Sequence, residues 1–404
     1  MGQALRAKGH QHLGIHIRSS GIRARSGASA GRAHGEPTMG FAFIKHDTNI
    51  DFIGKRHWAY AISILFLLAG LASVLWGNGL KLGIDFAGGV IVQVQFSKPV
   101  EDEALKKSLN IPELPGISTQ RFGEGGRDYL LRFSSSETGD ASVLRTNVIK
   151  ALAQAFPDNP VEIQRLEVVG PKVGDDLTNK ALSALYYAVL LIAVYISGRF
   201  EQRWMAAAIM AAALWGGMYL FSFTSIGMGW QVMVALAITL VVCFVLKLNF
   251  ALGAVVGLLH DVFITVGLLS ILNVEIDLNV MAALLTLVGY SLNDTIIVYD
   301  RLRENLRAAP QLDLASLINR SVNQTLSRTI LTSGTTFAAT LSLFLLGGGV
   351  IHDFALTMLI GVFVGTASSI YVSSAILLAL GDTDFYVHAQ EKENYERPGE
   401  HGIV

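Results

Sequence analysis

Long apolar runs separated by short polar breaks dominate the chain, and one polar stretch of about 100 residues lies between the first run and the second. A bilayer needs about 20 apolar residues per helix. Segments at about 58–77, 181–198, 204–223, 230–248, 250–272, 278–299, 329–347 and 355–380 meet that length. The pattern predicts a polytopic α-helical membrane protein. Lys and Arg in the short loops set its orientation. With the N-terminus inside, the inner loops hold Lys55, Arg56, Arg199, Arg203, Lys247, Arg301, Arg303, Arg307, Arg320 and Arg328. The short outer loops 224–229, 273–277 and 348–354 hold no Lys or Arg, and only Glu275, Asp277 and Asp353 as charges. Both termini are expected in the cytoplasm, with residues 78–178 outside.

The polar stretch alternates between two periods. Residues 89–96, 118–122, 128–133 and 161–169 read as strands, with Gly123, Gly125 and Gly126 as a hairpin turn. Residues 101–109 and 141–156 read as helices, the second stopping at Pro157. The order βαββαβ is that of a ferredoxin-like α+β domain. The chain then divides into a cytoplasmic N-terminal region 1–57, a first span 58–77, a periplasmic domain 78–178, a bundle 179–380 and a cytoplasmic tail 381–404. Within 300–328, Leu312, Leu314, Leu317, Ile318, Val322 and Leu326 recur at helical spacing, which predicts an amphipathic helix at the inner interface.

Composition sharpens this picture. Of 404 residues, 51% are hydrophobic and 16% charged, against about 25% charged in soluble domains. A net charge of −1 carries no nucleic-acid signature. Cys243 is the single cysteine, which excludes an internal disulfide and a Cys-ligated metal site. Residues 1–38 are rich in Arg, His, Gly and Ser and lack the apolar centre of a secretory signal. They read as a disordered tail, or as a segment preceding a true start at Met39.

The strongest chemical signal is Asp294, a carboxylate inside an apolar span. Such a group costs roughly 2.5–3.5 kcal/mol to insert, so a helix keeps it where something uses or neutralises it. Thr286, Tyr290, Asn293 and Asp294 fall on one side of that helix, which then reaches Arg301. The stripe reads as the lining of an ion path or as a hydrogen-bond ladder between helices. On the next span Arg328, Thr332, Thr335 and Thr336 share a face. Arg328 lies within reach of Asp294 if the two helices are neighbours, and reads equally as a positive-inside anchor. His260 and Asp261 stand in mid-span as relay members or as a buried polar contact. A metal site is disfavoured there, because adjacent helical residues diverge. Gly253, Gly257 and Asp261, and again Gly361, Gly365, Ser369 and Ser373, show the small-xxx-small spacing of close helix contact. No Walker loop or H-E-x-x-H is present, so nothing here supplies ATP hydrolysis.

Several ordered motifs then resemble one family. Gly83-Ile-Asp-Phe-Ala-Gly-Gly89, Val169 to Gly174, Leu259-His-Asp-Val262, Gly289 to Asn305 and Ser327 to Thr336 are similar to those of SecF, the smaller half of the bacterial SecDF protein-export complex. The similarity covers about residues 40–385. It implies a half of the resistance-nodulation-division (RND) type, with six core helices, in the bacterial inner membrane. It implies a SecD-like partner, association with the SecYEG translocon and with YajC-like and YidC-like proteins, and preproteins as the cargo. It implies no cofactor, protons as the coupling ion with sodium left open, and Asp294 with Arg328 on the proton path. A further aspartate would come from the partner. Gly88 and Gly89, beside Asp85, would form the hinge of the outer domain. One departure stands out: Arg199-Phe-Glu201 is separated from Ala251-Leu-Gly-Ala254 by two further apolar spans at about 204–248. An even number of added spans leaves all later segments in their original orientation.

Overall fold

The computed structural model describes residues 48–381 apart from Asn78, residues 112–113, 115–116, 123–124, 135–140, 202–203 and 222–226. The readings of 1–38 and of the tail 382–404 lie outside the described residues, as does Gly123 of the hairpin turn.

Strands β1 (Gly89–Phe96), β2 (Ile117–Phe122), β3 (Asp128–Ser134) and β4 (Val161–Val169) form one antiparallel sheet in the order β2-β3-β1-β4. Two helices, α3 (Asp102–Leu109) and α4 (Ala141–Ala155), pack on it. This is the βαββαβ arrangement expected from the alternation. Its cause is legible in β1, where Val90, Val92, Val94 and Phe96 are buried and the residues between them are not. These side chains, with Tyr129, Leu131 and Phe133 of β3, meet Leu105, Leu109, Leu144, Val148 and Leu152 of the helices.

Tyr129 anchors this core. Its buried hydroxyl donates to the Val100 carbonyl at 2.6 Å and lies 2.9 Å from Asp102 Oδ1. Burial first, and then the Asp102 carboxylate, pushes its pKa up to about 12. The neutral phenol is therefore the form the fold favours. Its contribution is complete below about pH 10, the unfolded value, and is lost as pH rises through about 12. Tyr129→Phe is expected to lower stability by about 1 kcal/mol and to flatten this alkaline loss, as measured by denaturant unfolding of the purified chain at pH 8 and pH 11.

Among the described residues, eight helical segments make the bundle. They are α1 (Arg56–Trp76), α5 (Pro171–Glu201), α6 (Trp204–Phe221), α7 (Met228–Val245), α8 (Asn249–Ile271), α9 (Leu278–Ala308), α10 (Leu314–Leu346) and α11 (Gly348–Ser368) continued by α12 (Ser374–Leu380). Among the described residues, seven stretches are long and apolar enough to cross a membrane, and α6 carries a shorter apolar run over 207–217. Between α11 and α12 the backbone makes a π turn over Ser369–Ser373, where the Ser374 hydroxyl donates to the Ser369 carbonyl. Such turns insert one residue into a helix and recur at functional sites.

Three boundaries differ from the hydropathy reading. Helix α5 begins at Pro171 rather than near 181, so no break marks residue 178. Helix α10 fuses the expected interfacial helix with the following span into one helix of 33 residues. Asp313 caps it, accepting from Ser316 N at 3.0 Å, and no Gly or Pro interrupts residues 314–333. Leu314, Leu317, Ile318, Val322 and Leu326 are buried against the bundle rather than laid on a surface. The expected loop 348–354 is already the start of α11.

The added pair α6–α7 packs on α5, and α7 also touches α8. It leaves and returns at nearly one point. Glu201 Oε1, at the end of α5, accepts from Phe250 N at 2.8 Å, and the Phe200 and Phe250 rings stack with centroids 5.4 Å apart. The ends of α5 and α8 are thus joined across the insertion, and Glu201 supplies an N-terminal acceptor that Leu248, at the cap position of α8, does not provide.

Candidate functional site

Close backbone approach builds the site. A Cβ added at Gly361 would come 2.6 Å from Leu287 of α9, and one at Gly365 would come 3.0 Å from Ser291 Cβ. On α8, a Cβ at Gly257 would collide with Ser373 and one at Gly253 with the Tyr299 hydroxyl. The two small-residue rows thus do what their spacing predicted. They draw α8, α9 and α11 close enough for short side chains to bond across the helices.

Two buried carboxylates occupy this junction. Asp261 of α8 is fully buried. Its Oδ2 accepts from Ser291 Oγ at 2.5 Å and from Ser368 Oγ at 2.8 Å. Its Oδ1 lies 2.9 Å from His260 Nδ1. The expectation that neighbouring helical side chains diverge is corrected here: the imidazole folds back onto the carboxylate. Among the described residues no cluster of His, Cys, Asp or Glu is arranged to hold a metal ion.

Asp294 of α9 is 1% exposed. Its Oδ2 accepts from Ser333 Oγ of α10 at 3.0 Å, and Ser333 Oγ in turn accepts from Thr366 Oγ1 of α11 at 2.8 Å. Among the described residues, none gives the buried Asp294 Oδ1 a hydrogen bond. Arg328 is exposed, close enough for its charge to act on Asp294 but not joined to it by an ion pair. The reason is helical geometry. Ser333 and Thr329 lie on the buried row of α10 with Thr325 and Thr340, and Arg328 stands about 100° away from Thr329.

The predicted polar faces are rotated accordingly. Thr335 is exposed, and Thr332, half-buried, closes its hydroxyl on the Arg328 and Thr329 carbonyls of its own helix. On α9, Thr286, Asn293 and Arg301 are exposed, whereas Asp294 belongs to the buried row of Leu287, Ser291 and Val298. Tyr290 is half-buried, its hydroxyl enclosed and without a partner among the described residues. Sequence reasoning missed Ser291, Ser333, Thr366 and Ser368, the hydroxyls that bind the carboxylates. The signal available was the run Thr366-Ala-Ser-Ser369 deep inside an apolar helix.

A second constellation ties this bundle to the sheet domain. Helix α2 (Ile84–Ala87) wedges against α5, so that a Cβ at Gly174 would come 2.5 Å from the Phe86 carbonyl. Just before α2, Leu82 makes a single parallel bridge to Ile276 in the α8–α9 loop. Asp85 Oδ2 accepts from Leu278 N at 3.0 Å, and Asp277 caps α9 through Val280 N at 2.8 Å. Burial first, reinforced by Asp85, raises the Asp277 pKa against the pull of the Val280 N–H. Arg132 of β3 pairs with Glu275 in the same loop, both side chains mostly buried. Gly88 takes φ 74° as the residue ending α2, and Gly89 takes φ 147° where a Cβ would strike the Phe133 carbonyl. Both positions require glycine.

Comparison with known proteins agrees with these motifs. The model of the family described as protein export membrane protein SecD/SecF, C-terminal, matches residues 148–226 and 223–383, and that of the SecD/SecF GG motif matches residues 73–100. The protein translocase subunit SecF of Magnetococcus marinus is 40% identical over 335 residues, covering 82% of this chain and 92% of that protein. The subunit of Escherichia coli O157:H7 is 37% identical, covering 86% and 94%. The crystal structure of SecDF, a translocon-associated membrane protein from Thermus thermophilus, superposes with a TM-score of 0.59 at 31% identity, over 83% of this chain. This chain spans 39% of the length of that SecDF chain. On its motifs, its fold and these relatives, the chain belongs to the SecF family of protein translocase subunits.

Proposed function

We propose that this chain is one half of a Sec accessory complex that uses the proton-motive force to help preproteins cross the bacterial inner membrane after the ATP-driven step. The observation that carries this reading is Asp294, sealed in the bundle with one carboxylate oxygen bonded to Ser333 and the other without a partner among the described residues. A carboxylate so placed is poised to take up a proton. Its charge state sets how α9, α10 and α11 hold together, because low dielectric magnifies the change. Asp261, held by α9 and α11 hydroxyls, is a second such group on the neighbouring helix.

The exposed polar side of α9 and α10 supports a partner. Thr286, Asn293, Arg328 and Thr335 face outward from this chain, and polar groups facing lipid are costly. A SecD-like half covering that side would bring its own aspartate to Asp294 and Arg328. SecYEG, and YajC-like and YidC-like proteins, complete the assembly. The loop charges support cytoplasmic termini and a periplasmic sheet domain. One proton crossing 100 mV releases about 2.3 kcal/mol, enough to bias a two-state bundle roughly 50-fold. No ATP is hydrolysed by this chain.

A proton-coupled small-molecule exporter half of the RND type is the rival reading, and sodium the rival ion. Export of a preprotein into inverted vesicles containing the chain and its partner distinguishes them. Stimulation is expected under a proton gradient, and little under a sodium gradient alone. Stimulation by sodium alone overturns the choice of ion. Absence of stimulation by either, with a periplasmic adaptor rather than the translocon co-purifying, favours the exporter.

A further inference from the structure

Helix α10 is fastened unevenly along its length. Its inner half is gripped from two sides. On one side, Asn323 and Asn319 read the backbone of the segment that leads into α1. Asn323 Oδ1 accepts from Ile50 N at 2.9 Å, and its Nδ2 donates to the Ile50 carbonyl at 2.9 Å. Asn319 Oδ1 accepts from Phe52 N and Ile53 N, both at 3.0 Å, and its Nδ2 donates to Asp51 Oδ1 at 2.9 Å. On the other side, Asn305 of α9 donates to Ser321 Oγ at 2.8 Å and to Gln324 Oε1 at 2.9 Å. Farther out, the Ser333 hydroxyl reaches Asp294. Beyond it, Thr335, Thr340 and Ser342 close on carbonyls of α10 itself.

The strap that Asn319 and Asn323 hold is itself anchored. Phe52 and Ile53 are buried in the bundle core, and Phe52 meets Tyr371 of the π turn edge-on, with ring centroids 5.8 Å apart. The Gly54 N–H first, and then Asn319, hold the Asp51 carboxyl below its usual value, so it stays a charged acceptor. From here the chain enters α1, among whose described residues Gly70 alone is buried. Toward its outer end α1 is joined to α8. A Cβ at Gly70 would come 2.7 Å from Gly267 Cα, and the Ser73 and Ser270 hydroxyls lie 2.8 Å apart. The strap thus ties the inner half of α10 to α8 through α1. About 15 Å of helix separates Asn323 from Ser333. The polar bonds therefore fix one half of α10 to its neighbours, and hold the other through the hydroxyls that end at Asp294.

We propose that Asn319 and Asn323 are positioning residues for the coupling step: their grip on residues 50–53 makes the inner half of α10 a fixed pivot, so that a change at Asp294 swings the outer half. The pivot stands on these bonds alone, and its use in export rests on the proton-coupled reading of Asp294.

Spin-label distances in the full-length chain test the pivot, in lipid nanodiscs and in a Cys243→Ala background. The outer pair is Ile271→Cys with Leu341→Cys and the inner pair Lys247→Cys with Arg320→Cys, all at exposed positions. Ser333→Ala is expected to broaden the outer distance and leave the inner one unchanged. Asn319→Ala with Asn323→Ala is expected to broaden the inner one. An outer distance unmoved by Ser333→Ala, an inner distance broadened by it, or an inner distance unmoved by the paired Ala variant overturns the pivot. Export by the chain with its partner tests the use. Asn319→Asp removes the donor to Asp51 and sets a second carboxylate against it. Gradient-stimulated export should fall about fivefold, the effect of one hydrogen bond, with ATP-driven export and thermal unfolding unchanged. Asp51→Asn with Asn319→Asp exchanges donor and acceptor and should restore the stimulation. Full stimulation in the single variant, or no recovery in the exchange, overturns the coupling role and leaves Asp294 as the coupling group. An unaltered chain that gains nothing from the gradient overturns the reading of Asp294 and the coupling role together, whatever the distances show.

Discussion

Asp294→Asn is expected to abolish gradient-driven stimulation of export while leaving the chain folded and paired with its partner. The replacement keeps the shape and keeps an oxygen to accept from Ser333, so the contact at 3.0 Å between α9 and α10 is retained. The amide nitrogen takes the place of Oδ1, which has no partner to lose. What disappears is the charge that changes on protonation. The stimulation conferred by a 100 mV gradient, at most roughly 50-fold, should fall to none, and ATP-driven export should persist at its unstimulated level. Preprotein translocation into vesicles with and without the gradient measures both. Ser333→Ala leaves the carboxylate less held and should weaken stimulation without abolishing it. Thr332→Val should change nothing, because that hydroxyl is satisfied within its own helix. Full stimulation in the Asn variant would reduce Asp294 to a packing contact.

How far the sequence revealed this arrangement depends on the signal each part leaves. The sheet was legible because alternation at period two is set by burial of one face, as Val90, Val92, Val94 and Phe96 show. Asp294 was legible because a carboxylate in an apolar run is costly. Its partners were not, since Ser and Thr are common in membrane helices and only packing shows which of them meet across an interface. A single position decides such contacts: Thr329 is buried and Arg328 exposed, one residue or about 100° apart. Helix ends beyond the bilayer were also hidden. Hydropathy registers apolar residues alone, so the polar first half of α10 looked like a separate element. The insertion was visible as extra length, but only the bond from Phe250 N to Glu201 shows that its two ends meet.

The junction between sheet and bundle carries the second large effect. Arg132 pairs with Glu275 of the loop that joins α8 to α9, and its charge also acts on Asp277, which Asp85 and Asp353 face as well. Those two helices hold Asp261 and Asp294, and the loop between them is the one that Arg132 of β3 grips. Arg132→Glu should be the most damaging change here. It replaces the charge paired with Glu275 by a further carboxylate, and breaking a mostly buried pair costs about 3–5 kcal/mol when its partner is left uncompensated. Glu275→Gln should be mild, because Asp277 remains close enough to attract Arg132. The exchange of both, Arg132→Glu with Glu275→Arg, should recover at least half of the lost export. Two readouts separate coupling from mere stability: gradient-stimulated export, and protease resistance of the sheet domain. Loss of export with the domain still resistant places the fault in transmission between helices and sheet. Failure of the double exchange, with both singles as severe as each other, would show that the pair only holds the loop in shape.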